Sequence, residues 1–132
     1  MSEESPVFLT IEAILQLHDL AIQELGGSPG LRDRAALEAA VYQPQAALGG
    51  KYLYSYPQGM AVAYSLGLAR NHPFVEGNKR TAAVALGAFL LSNGWTFEAD
   101  VGDLAGAIIG LVTGALGRAD FEAWLAQKLP GT

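Results

Sequence analysis

Cysteine is absent from this 132-residue chain. That excludes a disulfide scaffold, a thiolate zinc site and a cysteine nucleophile together. Histidine is scarce: the two present, His18 and His72, lie far apart, so no tetrahedral zinc constellation can be assembled from His and Cys. Basic charge is also short, with eight Lys+Arg against thirteen Asp+Glu and a net charge of −5. A general nucleic-acid binder shows the opposite balance. The acidic, polar start Met1-Ser2-Glu3-Glu4-Ser5-Pro6 carries no basic n-region followed by an apolar run, so no secretory signal is expected. The longest uncharged stretch, Thr81 to Phe97, has 17 residues and is broken by Ser92, Asn93 and Gly94. It is too short and too interrupted for a membrane span, and the expected location is the cytoplasm.

What remains is a chain that can bury a core. Apolar residues make up 51% of it and charged residues 16%, which suits one globular domain. Thr10 caps a first predicted helix whose positions Ile11, Ile14, Leu15, His18, Ile22 and Leu25 recur at steps of three and four, closed by Gly26-Gly27. Asp33 caps a second helix that stops at Pro44. A third runs from Pro57 to about Arg70 and is broken by Asn71-His72-Pro73. A fourth starts near Asn78 and closes at Asn93-Gly94. A fifth, opening at Asp100 or Gly102, is uncharged from Leu104 to Gly117 and reads as a buried central helix. The last spans about Ala119 to Leu129 and offers Phe121, Trp124, Leu125 and Leu129 to a core. Only Tyr52 to Tyr56 alternates like a short strand. The expected architecture is all-α, a compact bundle of about six helices with a short β-hairpin flap, in one domain over residues 1–132 with a core of about 8–129.

Chemistry concentrates in one loop, His72-Pro73-Phe74-Val75-Glu76-Gly77-Asn78-Lys79-Arg80-Thr81, just before a helix N-terminus. Unpaired N–H groups and the positive end of the helix dipole make such a place a phosphate site. Gly77 lets backbone approach a ligand without an intervening Cβ. Lys79 and Arg80 are cations in the first turn, where the dipole disfavours them by roughly 0.3–1 kcal/mol each. An expected anion removes that conflict. Glu76 supplies hard oxygen suited to Mg²⁺ shared with substrate phosphates. His72 is the natural general base. Phe74 points inward and pins the loop.

Taken singly, each has a plain structural reading. A loop His is commonly solvent-exposed or a cap, a Glu near a helix start complements the dipole, and Lys-Arg is commonly a solvated face. His18, on an apolar stripe, reads as a core histidine, and Trp95 and Trp124 as core or edge residues. The combination within one turn argues for a site. It is not a Walker A loop, since Asn78 separates Gly77 from Lys79 and the context is helical. No Gly-x-Ser-x-Gly elbow supports a hydrolase triad.

The run His72-Pro-Phe-Val-Glu-Gly-Asn-Lys-Arg80 resembles the signature loop of the Fic/Doc family, His-x-Phe-x-Asp/Glu-Gly/Ala-Asn-Gly/Lys-Arg. The resemblance extends to the Gly30-x-Arg32-Asp33 turn and the Asn93-Gly94 stop, covering about Phe8 to Gly94. It implies an all-α fold that transfers part of a nucleotide to a protein hydroxyl with Mg²⁺. Carried over by position, His72 would take the hydroxyl proton and Glu76 would hold Mg²⁺. Gly77, Asn78, Lys79 and Arg80 would bind phosphates, and Gly49 to Tyr56 would form the flap on which a target peptide adds as a strand. Adenylyl-transferring members carry Gly at the place of Lys79 and a second Arg at the place of Ala83. Lys79 and Ala83 therefore resemble the Doc branch, the death-on-curing toxins. That branch implies a kinase-like toxin moving the γ-phosphate of ATP to a threonine of elongation factor Tu and halting translation. No Ser/Thr-x-x-x-Glu-Gly/Asn autoinhibitory motif is present, so control is expected from a small antitoxin whose tail folds as a helix into a groove near the loop. A Fic-type adenylyltransferase and a catalytically silent helical binding module are the competing readings.

Overall fold

The computed structural model describes residues 5–97 and 100–129. Helix α1 (Ile11–Leu25) begins at Thr10, whose Oγ1 accepts from the Ala13 N–H at 3.0 Å, and ends at Gly26, with φ of 86°. Helix α2 (Arg34–Tyr42) is capped by Asp33, whose carboxylate accepts from the Ala36 N–H, and tightens into a 3-10 turn, Gln43–Gln45. Helix α3 is Gln58–Asn71, α4 Asn78–Ser92, α5 Val101–Thr113 and α6 Arg118–Gln127. The all-α expectation holds: six α-helices account for nearly all the regular structure, and the described residues contain a single two-stranded sheet. Among the described residues no helix is long and apolar enough to cross a membrane.

Helix α3 is the axis of the bundle. It packs against α2, α4, α5 and α6, and nine of its residues are buried, among them Met60, Tyr64, Leu68 and Ala69. Small residues let its neighbours approach. A Cβ on Gly67 would meet Ala40 Cα of α2 at 3.1 Å. Ser65 Oγ donates to the Ala82 carbonyl of α4 at 2.7 Å, so a buried hydroxyl is satisfied and the two helices are tied together. Tyr64 is fully buried and its hydroxyl accepts from the Leu9 N–H at 2.8 Å; burial pushes its pKa up to about 12.

Two sequence expectations need correction. Helix α5 is not central but lies on the outside of α3 and α4, burying only the stripe Leu104, Ile108 and Leu111 while Gly102, Asp103, Ala105, Gly106 and Ile109 face outward. Lack of charge misled here, because Ala and Gly read as apolar yet have little side chain to bury. The hairpin is also displaced. Its strands are β1 (Ala47–Leu48) and β2 (Lys51–Tyr52), paired Leu48↔Lys51 around Gly49-Gly50, both at positive φ. A two-residue hairpin turn needs that backbone, and the glycine pair sets it. Tyr54 and Tyr56 are not strand residues. Tyr54 packs under the Arg118 guanidinium at 4.6 Å, and Tyr56 lies edge-on to Phe89 and Trp95.

The Gly67 contact makes a stability prediction. Gly67→Leu forces overpacking between α2 and α3, and we expect a loss of about 1–3 kcal/mol or more, read as a lower midpoint in urea or heat.

Candidate phosphate-binding and catalytic site

Helix α3 ends at His72, whose φ of 50° and ψ of 55° put it in the left-handed region, the single non-glycine residue there among those described. That conformation costs a non-glycine residue of order 1–3 kcal/mol, so the surroundings must impose it. Arg32 does so from outside. Its Nε donates to the His72 carbonyl at 2.6 Å and its Nη2 to the Asn71 carbonyl at 3.0 Å. One guanidinium thus satisfies two carbonyls at the negative end of α3. The backbone of the preceding turn completes the clamp: Arg32 and Asp33 N–H both donate to the Pro73 carbonyl, and Val75 N–H donates to the Gly30 carbonyl. The turned chain leaves the His72 side chain exposed.

Inside the loop, Phe74 is buried as expected, at 1% exposure. Its ring lies parallel to that of His18, with centroids 3.7 Å apart. The Asn78 side chain, buried at the start of α4, accepts from the Phe74 N–H at 2.9 Å and donates to the Phe74 carbonyl at 3.0 Å. That amide is therefore committed to the loop, and what Asn78 can offer an anion is its backbone N–H. Gly77, with φ of 82°, starts α4, and its carbonyl accepts from both the N–H and the Oγ1 of Thr81.

His72, Gly77, Asn78, Lys79 and Arg80 line one open concavity of about 260 Å³. Five of the six expected site residues are thus brought together. Arg80 is half-buried, and its Nη1 donates to the Gly26 carbonyl at the end of α1 at 2.8 Å, while Lys79 is exposed. The sixth residue, Glu76, is next to this concavity in sequence but does not line it. Its Oε1 accepts from the Ser28 N–H at 2.5 Å. Hydrogen bonding from Ser28, first from its backbone, and the nearby Arg80 charge hold the Glu76 carboxyl below the usual carboxylate range. It is ionised at neutral pH, with lone pairs left for a cation. Among the described residues no group of three His, Cys, Asp or Glu could hold a metal unaided. A single hard carboxylate holds Mg²⁺ only when other oxygen ligands, such as substrate phosphates, complete the shell, and Glu76 is the one acidic residue of the loop.

Three supporting residues escaped the sequence reading of the site: His18, Arg32 and Ser28. His18 was legible only as a core residue, since it falls on the apolar stripe of α1. Arg70, one turn before His72, does not reach the concavity. It points to the end of α5, with Nη2 3.4 Å from the Leu111 carbonyl. Beside the concavity runs an apolar groove of about 180 Å³ between the end of α1, α4 and α5, lined by Leu25, Lys79, Arg80, Ala83, Val84, Ala105, Ile108 and Ile109.

The left-handed His72, held by Arg32, and the concavity at the start of α4 sit on a chain whose family is shown by comparison with known proteins. The sequence model of the Fic/DOC family matches residues 8–90, more than half of the chain, and the protein belongs to that family. Two relatives are informative. The chain is 41% identical over 93 residues to the "Toxin Doc" of Mycolicibacterium smegmatis, covering 70% of this chain and 69% of that one. It is 32% identical over 105 residues to the "Protein kinase doc" of Escherichia phage P1, covering 80% of this chain and 82% of that one.

The Glu76 environment predicts a pH dependence. Because the folded pKa lies below the unfolded one, the contribution of this carboxylate to stability is present above the ordinary carboxylate pKa and is lost as pH falls through the folded value. We expect carbon-detected NMR to show Glu76 titrating below the ordinary glutamate range. We also expect a Glu76→Gln protein to show a flatter acid limb of stability than the wild type.

Proposed function

We propose that this chain, acting as one Fic/Doc-like domain, is a Doc-type toxin that transfers the γ-phosphate of ATP to a protein hydroxyl. The observation that carries this reading is the joining of an exposed imidazole, His72, to a cationic anion cradle at the start of α4, with Lys79 and Arg80 on its wall. The phosphates of ATP would lie on the first-turn N–H groups of α4, with Gly77, Asn78, Lys79 and Arg80 supplying donors and charge. His72 accepts the proton of the target hydroxyl. The hydroxyl oxygen bonds to the γ-phosphorus, the bond to the β,γ-bridging oxygen breaks, and ADP leaves. Glu76 would hold Mg²⁺, which when bound neutralises phosphate charge. Positioned proton transfer of this kind contributes roughly 10²–10⁴-fold.

Lys79 and Ala83 support phosphate over adenylyl transfer. A long cation on the cradle wall fills space that a smaller residue would leave to phosphate, and this sets which phosphorus faces His72. The expected target is a threonine of elongation factor Tu, laid along the Ala47–Tyr52 hairpin, so that translation stops in the cytoplasm. The two relatives named as Doc proteins support both the toxin and the kinase parts of this reading. Control by a small antitoxin follows. The apolar groove beside Lys79 and Arg80 suits an amphipathic helix with an acidic side chain at its charged end.

With Mg²⁺, elongation factor Tu and ATP labelled at the α or the γ phosphorus, we expect only the γ label on the target and a loss of about 10²–10⁴-fold in rate for His72→Ala. Transfer of the α label would mean an adenylyltransferase, and transfer of neither a binding module. Ile109 is 48% exposed on the groove wall. Ile109→Glu is expected to keep transfer but to escape neutralisation by the co-expressed antitoxin, read as growth arrest in cells carrying both.

A further inference from the structure

His18 is 2% exposed, and its ring is stacked on Phe74 of the loop. Its Nε2 lies 2.7 Å from the Glu76 carbonyl oxygen. A carbonyl only accepts, so Nε2 carries the proton and donates. The Glu76–Gly77 peptide is trans, Tyr56–Pro57 being the one cis bond described. In a trans peptide the C=O and the following N–H point in opposite directions. Pulling the Glu76 carbonyl inward to His18 therefore aims the Gly77 N–H away from α1, on the side where Gly77 lines the concavity. Glycine makes this lock necessary. Gly77 populates positive and negative φ about equally well, so the peptide before it can turn over with little steric cost. A Cβ at Gly77 would sit 3.6 Å from His18 Nε2 and 3.2 Å from Ile22 Cδ1, so the α1 face lies directly against this peptide.

We infer that His18 is a positioning residue for phosphate binding: its Nε2–H holds the Glu76–Gly77 peptide in the one orientation that presents the Gly77 N–H to the nucleotide phosphates. The inference rests on the phosphate-binding reading above and adds to it a buried residue that touches neither nucleotide nor target. Turned over, the same peptide would present the Glu76 carbonyl oxygen, and a donor would become a repelling acceptor for the same anion.

The test uses the full chain and two variants of opposite design. His18→Phe keeps an aromatic ring against Phe74 and removes the donor. His18→Gln carries an N–H donor at nearly the reach of Nε2 and gives up the ring. In ATP titrations without Mg²⁺, followed by amide NMR, the wild type is expected to show the Gly77 resonance moving with saturation. We expect His18→Phe to bind about 10–100-fold more weakly, the worth of one hydrogen bond to a charged group, with the Gly77 shift lost. His18→Gln is expected to recover most of the affinity. A control destabilised elsewhere on α1, Ile14→Val, should bind like the wild type. Equal affinity and an intact Gly77 shift in His18→Phe would overturn the proposal, as would a folded His18→Gln that binds no better than His18→Phe. Should His18→Phe fail to fold, His18→Gln decides by its affinity relative to wild type. If the wild type itself binds no ATP, the phosphate reading fails, and the orientation claim is still decided. An unchanged pattern of NOEs between Glu76 Hα and the Gly77 N–H on removal of the donor would sink it.

Discussion

A loop of six residues outside any helix must draw its order from other contacts, because fixing each residue opposes folding by roughly 1–2 kcal/mol. The segment from His72 to Gly77 is ordered because Phe74 leaves water entirely and carries its own backbone polar groups inside with it. A buried N–H and C=O left unpaired would cancel the gain. Asn78 closes both with one side chain. Burial of Phe74 and the Asn78 amide are thus one device, and neither works without the other. The consequences run outward from it. The Phe74 ring stacks on His18 and brings α1 against the loop, while Pro73 and Val75 on either side are taken by the backbone of residues 30–33. His72 is then forced into a left-handed turn with its imidazole on the outside.

The same frame resolves the two cations at the start of α4. In isolation they oppose the helix dipole, and this points to a missing anion. Arg80 has a second explanation, since its guanidinium reaches the Gly26 carbonyl at the end of α1. The negative end of one helix offsets a cation at the positive end of another. Lys79 has no hydrogen bond or ion pair of this kind among the described residues. Of the pair, Lys79 is therefore the cation that calls for an anion, while Arg80 is already held by the Gly26 carbonyl. In the proposed reaction a fixed charge would be worth more than a mobile one, because it would need no reorganisation on phosphate binding.

Helix starts and stops were legible because capping is local chemistry: Thr10, Asp33 and Asp100 each accept an N–H three residues on, and Gly26 and Asn93 close α1 and α4. The signature loop was legible because its residues are contiguous. What failed to show depends on contacts distant in sequence. The placement of α5 outside α3 is decided by which helix has the small residues for close packing, and composition alone cannot rank Gly67 against Gly106. His18 looks like any histidine on an apolar stripe, since the carbonyl it serves is 58 residues away. Arg32 was noticed only as part of a turn, although it closes the end of a helix 39 residues further on. The Tyr52–Tyr56 alternation suggested a strand, whereas the glycine pair before it held the stronger information.

Helix α1 emerges as the back wall of the site rather than as a peripheral element. From its C-terminal half and the glycines after it come the His18 donor, the Ile22 methyl against Gly77, the Gly26 carbonyl for Arg80 and the Gly27 approach to Glu76. The span matched by the family runs from residue 8 to 90, so it includes this wall and stops within α4. Helix α5 lies beyond it, and Ala105, Ile108 and Ile109 form one side of the apolar groove beside Lys79 and Arg80. The parts that shape the cradle and the parts that shape its neighbouring groove thus come from different stretches of chain. A substitution at Ile109 therefore changes the wall of that groove, while the turn at His72 is held separately by Arg32.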